Sequence, residues 1–152
     1  MTERLVLDCS VAVKWYLLDE EDSDLARFFL LSFLNHDIEF HAPELLKYEV
    51  AHALTKAQRS QKRRFSQTEI QEGFHHFLKL PVKFHSLSDS VLEEVIAFAN
   101  RFHRNFYDRC YLWLAEQWDC AWLTAEMKFH GPFPLGFPKN RIRLLGSKPP
   151  NE

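Results

Sequence analysis

The feature that most constrains this chain is an alternation. Short apolar runs rich in β-branched and aromatic residues recur between longer stretches with the 3.6-residue period of a helix. Leu5-Val6-Leu7 reads as a buried strand that ends at Asp8. Ile38-Glu39-Phe40-His41, Val82-Lys83-Phe84-His85, Ala121-Trp122-Leu123-Thr124 and Ile142-Arg143-Leu144-Leu145 read as further strands. Helices are expected over about 22–35, after Pro43, over 67–78, from Ser88 through Phe102 and over 107–118. Pro43 is tolerated in a first helical turn, and Ser66 with Glu69 has the spacing of a capping box. Ser88 caps an amphipathic segment whose Val91, Leu92, Val95, Ile96, Ala99 and Phe102 share a face. Strands alternating with helices make a parallel sheet covered on both faces. The predicted fold is a single-domain three-layer α/β/α sandwich over 1–146, with a central, mostly parallel sheet and a disordered tail over 147–152.

At 152 residues the chain has enough material for one buried core. Nineteen Lys and Arg against 21 Asp and Glu leave a net charge of −2, so any nucleic-acid contact must be local rather than a broad positive field. Three cysteines, an odd number behind an N-terminus unlike a signal peptide, point to reduced thiols and a cytoplasmic location. The longest apolar run, 28–34, falls far short of the ~18 residues that span a bilayer. The four glycines spell no phosphate-cradling loop.

In a parallel α/β sheet the functional crevice lies beyond the carboxyl ends of the strands. Asp8 follows the first strand directly, with the Ser10 hydroxyl two residues on. Glu126 lies two residues past the strand that ends at Thr124, and Asp108 falls at the start of a helix, where the dipole favours negative charge. Glu49 sits between Leu45 and Ala53 at the edge of the apolar stripe Leu46, Val50, Ala53, Leu54 and Ala57. A partly desolvated carboxylate there costs several kcal/mol unless a partner satisfies it, and a cation would do so. Oxygen ligands suit Mg²⁺ or Mn²⁺, and no Cys/His pair has the spacing of a zinc site. Each acid alone also suits capping or solubility.

Taken with their neighbours, these residues resemble a PIN domain of the VapC-type toxin subfamily. The matching segments are Leu5-Val6-Leu7-Asp8-Cys9-Ser10-Val11-Ala12-Val13-Lys14-Trp15, residues 41–54 around Glu49, residues 107–116 around Asp108, and Leu123-Thr124-Ala125-Glu126. The resemblance spans about residues 3–130. It implies a compact parallel α/β fold, an acidic Mg²⁺ or Mn²⁺ centre, ribonuclease activity toward RNA, and a small antitoxin partner that blocks the site. It carries Asp8, Glu49 and Asp108 over as metal ligands, and Ser10 and Thr124 as polar supports. Glu126 stands where the family usually has Asp, which puts the second metal position in doubt because Mg²⁺ demands near-octahedral geometry. His52 stands where the family often has Asn. A catalytically weakened module that binds RNA or a protein partner is the alternative reading, and a DNA-directed nuclease is a third.

His52 and Lys56 lie one and two turns from Glu49 on the same side, a ridge suited to an RNA phosphate or simply to a solvated helix edge. Lys56, Arg59, Lys62, Arg63 and Arg64 form a basic cluster that either steers a phosphate backbone or complements a helix terminus. Cys9 and Cys110 are expected to pack rather than react. Among 14 Phe, residues 28, 29 and 33 are candidates for a homodimer or antitoxin contact, with an ordinary core as the other reading.

Overall fold

The structure, a computed structural model, describes residues 1–146. Five strands, β1 (Glu3–Leu7), β2 (Ile38–Pro43), β3 (Lys83–His85), β4 (Ala121–Thr124) and β5 (Ile142–Leu144), form one sheet in the order β3-β2-β1-β4-β5. Every neighbouring pair is parallel. The helices are α1 (Cys9–Ala12), α2 (Ser23–Leu34), α3 (Leu45–Arg59), α4 (Gln67–Lys79), α5 (Asp89–Phe102) and α6 (Phe106–Gln117). The parallel α/β architecture expected from the alternation is the one observed.

Burial explains why the strands read as continuous apolar runs. Leu5, Val6 and Leu7 are all buried, as are Trp122, Leu123 and Thr124. Side chains alternate between faces along a strand, so three buried neighbours in succession require cover on both sides. From β1 the chain builds outward through β2 to β3, then returns to the other flank of β1 to lay down β4 and β5. The order therefore reverses between β1 and β4. A crevice opens beyond the carboxyl ends of such a pair.

Several boundaries follow from caps. Ser66 accepts from the Glu69 amide at 3.1 Å, as the capping box requires. Asn105 accepts from the amides of Tyr107 and Asp108, which starts α6 one residue before the expected position. α1 was not expected: four residues are too few to show a period, and it exists because Asp8 caps it through the Ser10 amide. It runs on into a tight turn at Val13–Trp15. There the Trp15 indole donates to the Ala26 carbonyl at 2.8 Å and ties the segment to α2. The expected tail over 147–152 lies outside the described residues.

The phenylalanine triplet divides. Phe29 and Phe33 belong to the core, Phe33 packing on Phe40 with ring centroids 5.0 Å apart, and only Phe28 is exposed. A contact surface made of all three is thereby ruled out, because their side chains leave α2 on different faces. The Gly- and Pro-rich stretch over 131–138, for which the sequence offers no function, covers one end of the core. Its Phe137 is buried against Phe129 and Trp122. Gly136 makes this possible with φ +90°, and a Cβ there would lie 2.9 Å from the Phe102 ring.

Where β2 pairs with β3, Glu39 accepts from Lys83 at 2.8 Å and from His41 at 2.6 Å, and the far nitrogen of His41 meets His85 at 2.8 Å. Lys83 and then His41 hold the Glu39 carboxyl down at about 2, against an ordinary 4.5.

Gly136→Ala is expected to destabilise the fold by about 1–3 kcal/mol in chemical denaturation, through both the strained φ and the clash. Glu39→Gln tests this β2–β3 cluster. A depressed folded-state pKa gives stability that is present above the unfolded value and lost on acidification. The wild-type advantage over Glu39→Gln in urea unfolding should therefore hold at neutral pH and fade between about 4.5 and about 2.

Candidate acidic site

Asp8 leaves the end of β1 at the point where the sheet order reverses, and only 5% of it is exposed. Its Oδ2 accepts from the Ser10 hydroxyl, from the Thr124 hydroxyl at 3.0 Å and from the Ser10 amide at 3.3 Å. Each hydroxyl is itself held by backbone from just beyond β4. Ser10 Oγ accepts from the Ala125 amide at 2.8 Å, and Thr124 Oγ1 accepts from the Glu126 amide at 3.2 Å. Two N–H groups thus orient two hydroxyls, and both hydroxyls point at one carboxylate. None of these partners carries charge. Burial consequently dominates and raises the Asp8 carboxyl to about 6, with the nearby Glu126 adding repulsion.

Glu49 projects from α3, half-buried as its place at the stripe edge implies, and accepts from the Tyr111 hydroxyl. Burial first, and then repulsion from Asp8, Asp108 and Glu126, lift it to about 7 against the Tyr111 hydrogen bond. The four sequence-predicted acids thus lie near enough for three of them to act on the charge of Glu49. Asp108 stands in the first turn of α6 and pairs with Lys128. Glu126 is exposed, with its backbone amide anchored and its side chain in solvent. His52 and Lys56 are exposed on α3, on the side of Glu49.

The donors are all hard oxygens of the kind a divalent cation takes. Their present arrangement is not a finished coordination shell. Among the described residues, no three His, Cys, Asp or Glu side chains are gathered closely enough to hold a metal ion. The reason is visible in the partners: Lys128 draws Asp108 to itself, Tyr111 holds Glu49, and Glu126 reaches into water. Acids in low dielectric spread apart unless something positive stands between them.

Two contributors escaped the sequence reading. Tyr111 falls three residues after Asp108, so the helical period could have placed both on one face. Its ring stacks on Trp122 at 5.6 Å with 11° between the planes, which fixes the hydroxyl that Glu49 uses. Lys128 follows β4 in a short turn at Met127–Phe129, where no periodicity marks it. The cysteines are free, and burial pushes the Cys9 thiol far up and Cys110 to about 11, which makes both poor nucleophiles.

Fold and site together define a parallel α/β domain with its polar chemistry at the switch point between β1 and β4, lined by carboxylates. The sequence matches the PIN domain family over residues 5–131, and the chain belongs to that family. It is 30% identical over 132 residues to Ribonuclease VapC3 of Pyrobaculum aerophilum, covering 86% of this chain and 95% of that protein. Among solved structures it resembles PAE2754 from Pyrobaculum aerophilum, with TM-score 0.66, 19% identity, and 95% and 85% of the two chains covered. It also resembles VapC20 of Mycobacterium tuberculosis, described as a sarcin-ricin loop cleaving toxin (TM-score 0.66, 13% identity, 90% and 98% covered). A third likeness is to VapBC2 from Rickettsia felis, solved bound to a DNA fragment from its promoter (TM-score 0.60, 13% identity, 93% and 98% covered). At such identities the structural likenesses are of fold.

Raised carboxyl pKa values carry a stability consequence. Asp8 and Glu49 prefer to be protonated in the folded state, so ionising them as pH rises toward about 6 and about 7 removes stability. In metal-free buffer at neutral pH, Asp8→Asn and Glu49→Gln should each raise the unfolding free energy, by on the order of 1–3 kcal/mol. The gain should shrink in mildly acidic buffer, as read by urea unfolding.

Proposed function

We propose that this PIN-family protein is a Mg²⁺- or Mn²⁺-dependent endoribonuclease and the toxin of a toxin–antitoxin pair. The observation that carries the reading is Asp8: a buried carboxylate, raised to about 6, surrounded by oriented hydroxyls and other acids and matched with no Lys or Arg among the described residues. Such a group is stable as an anion only beside a cation. The name of the Pyrobaculum relative, a ribonuclease, supports the choice of RNA.

In this reading Asp8, Glu49 and Asp108 hold the metal, with Glu126 as the longer fourth arm, and Ser10 and Thr124 keep the Asp8 oxygens aimed. A cation held by these carboxylates would supply positive charge for the phosphate, the attacking water and the leaving oxygen. Tyr111 keeps Glu49 turned into the crevice. Lys128, released from Asp108, stands ready as a countercharge for the substrate. His52 and Lys56 contact the RNA backbone. A small antitoxin partner covers the same crevice. The second reading, a module that binds without cleaving, is favoured by one observation: Glu126, one methylene longer than the family's usual Asp, points into solvent.

Single-stranded RNA should be cleaved with Mg²⁺ or Mn²⁺ and spared in EDTA, and Asp8→Asn and Asp108→Asn should each lower kcat/KM about 100-fold or more. Mn²⁺ should raise the Tm of the wild type and leave that of Asp8→Asn unmoved. Cleavage that survives both substitutions rejects the metal centre. RNA binding with no metal-dependent cleavage by either the wild type or Glu126→Asp identifies the binding module, and cleavage restored by Glu126→Asp counts against a pure binding role.

A further inference from the structure

An acidic centre repels the polyanion it is meant to cut, so the strand needs positive charge beside it. A cavity of about 350 Å³ opens from Glu49 along α3, within the size range of small-molecule sites, about 300–1,000 Å³. Cys9, Leu17 and Ala53 are its less polar lining, and Glu20 lines it beside Glu49. Lys56 and Arg63 line the same cavity. Seven residues of helix separate Glu49 from Lys56, a rise of roughly 10 Å, enough to pass the scissile phosphate and meet a neighbouring one.

The two cations differ in state. Lys56 is exposed and has no acid partner among the described residues. Arg63 is forked onto Asp19, at 2.8 and 2.7 Å, with Glu20 at 3.5 Å. A guanidinium binds carboxylate and phosphate by the same two parallel hydrogen bonds. Asp19 therefore occupies the fork a phosphate would take.

We propose that this cavity seats the nucleotide next to the cleaved phosphodiester, with its sugar and base over Leu17, Cys9 and Ala53 and its outer phosphate between Lys56 and Arg63. Asp19 is the stand-in that the phosphate displaces. The assignment rests on the ribonuclease reading for its substrate, and its test is independent of turnover.

The probe is a fluorescein-labelled single-stranded RNA oligonucleotide, followed by anisotropy in EDTA so that nothing is cut. Lys56→Ala and Arg63→Ala should each weaken binding about 3–10-fold at low salt. Each should flatten the slope of log affinity against log salt by about 0.7, the value for one lost phosphate contact on a single strand. Ala53→Leu, which fills part of the cavity, should weaken binding without changing the slope. Asp19→Asn separates recognition from bracing, because freeing the fork should tighten RNA binding. A loss with Asp19→Asn equal to that with Arg63→Ala would show that the pair only braces two loops, and would overturn the proposal. Variants that bind as the wild type does, or a wild type that binds no RNA, would overturn it too. Wild-type binding with the predicted pattern but no cleavage in Mn²⁺ would reject the ribonuclease while upholding the nucleotide seat.

Discussion

The carboxylate of Asp8 is the constraint around which the site is arranged. It is buried at the one place where the sheet changes direction, and its hydrogen bonds draw on α1, β4 and the backbone beyond β4. A polar group in such a position keeps its neighbours in register, because shifting any of them leaves a buried oxygen or N–H unpaired. The same carboxylate caps the four-residue α1 and so sets how the chain turns away from the sheet. One side chain thus ends a strand, starts a helix and anchors the crevice. Among the described residues no Lys or Arg offsets the electrostatic cost of keeping it there.

The aromatic core extends this arrangement outward. Trp122 in β4 stacks against Tyr111, meets Phe129 nearly edge-on at 5.5 Å, and lies under Phe137 from the loop held by Gly136. Tyr111 carries that rigidity to Glu49 through its hydroxyl. Precision at the crevice therefore comes from packing several residues away, which is how a site built on strand ends and helix termini stays ordered.

The alternation of periods made the sheet and most helices legible, since burial on both faces leaves uninterrupted apolar strands and one-sided helices leave stripes. The position of Glu49 was legible for the same reason: a carboxylate on the margin of a stripe is half-buried wherever that helix packs. What the sequence could not convey was which way each acid turns. The pairing of Asp108 with Lys128 and of Glu49 with Tyr111 joins residues 20 and 62 positions apart, and no local pattern encodes such contacts. α1 was hidden by its brevity. The likeness of Phe28, Phe29 and Phe33 in sequence concealed that only Phe28 faces outward: Phe29 and Phe33, four residues apart, share the inward face, and Phe28, next to Phe29, cannot.

The outer strands β3 and β5 are three residues each. Each offers an incoming chain too little unpaired backbone for a stable ladder, and Lys83 and Arg143 place charge along those borders. Neither border is a good template for strand addition. Helices and loops are left as the surfaces for contact, and edge-to-edge pairing between copies is disfavoured.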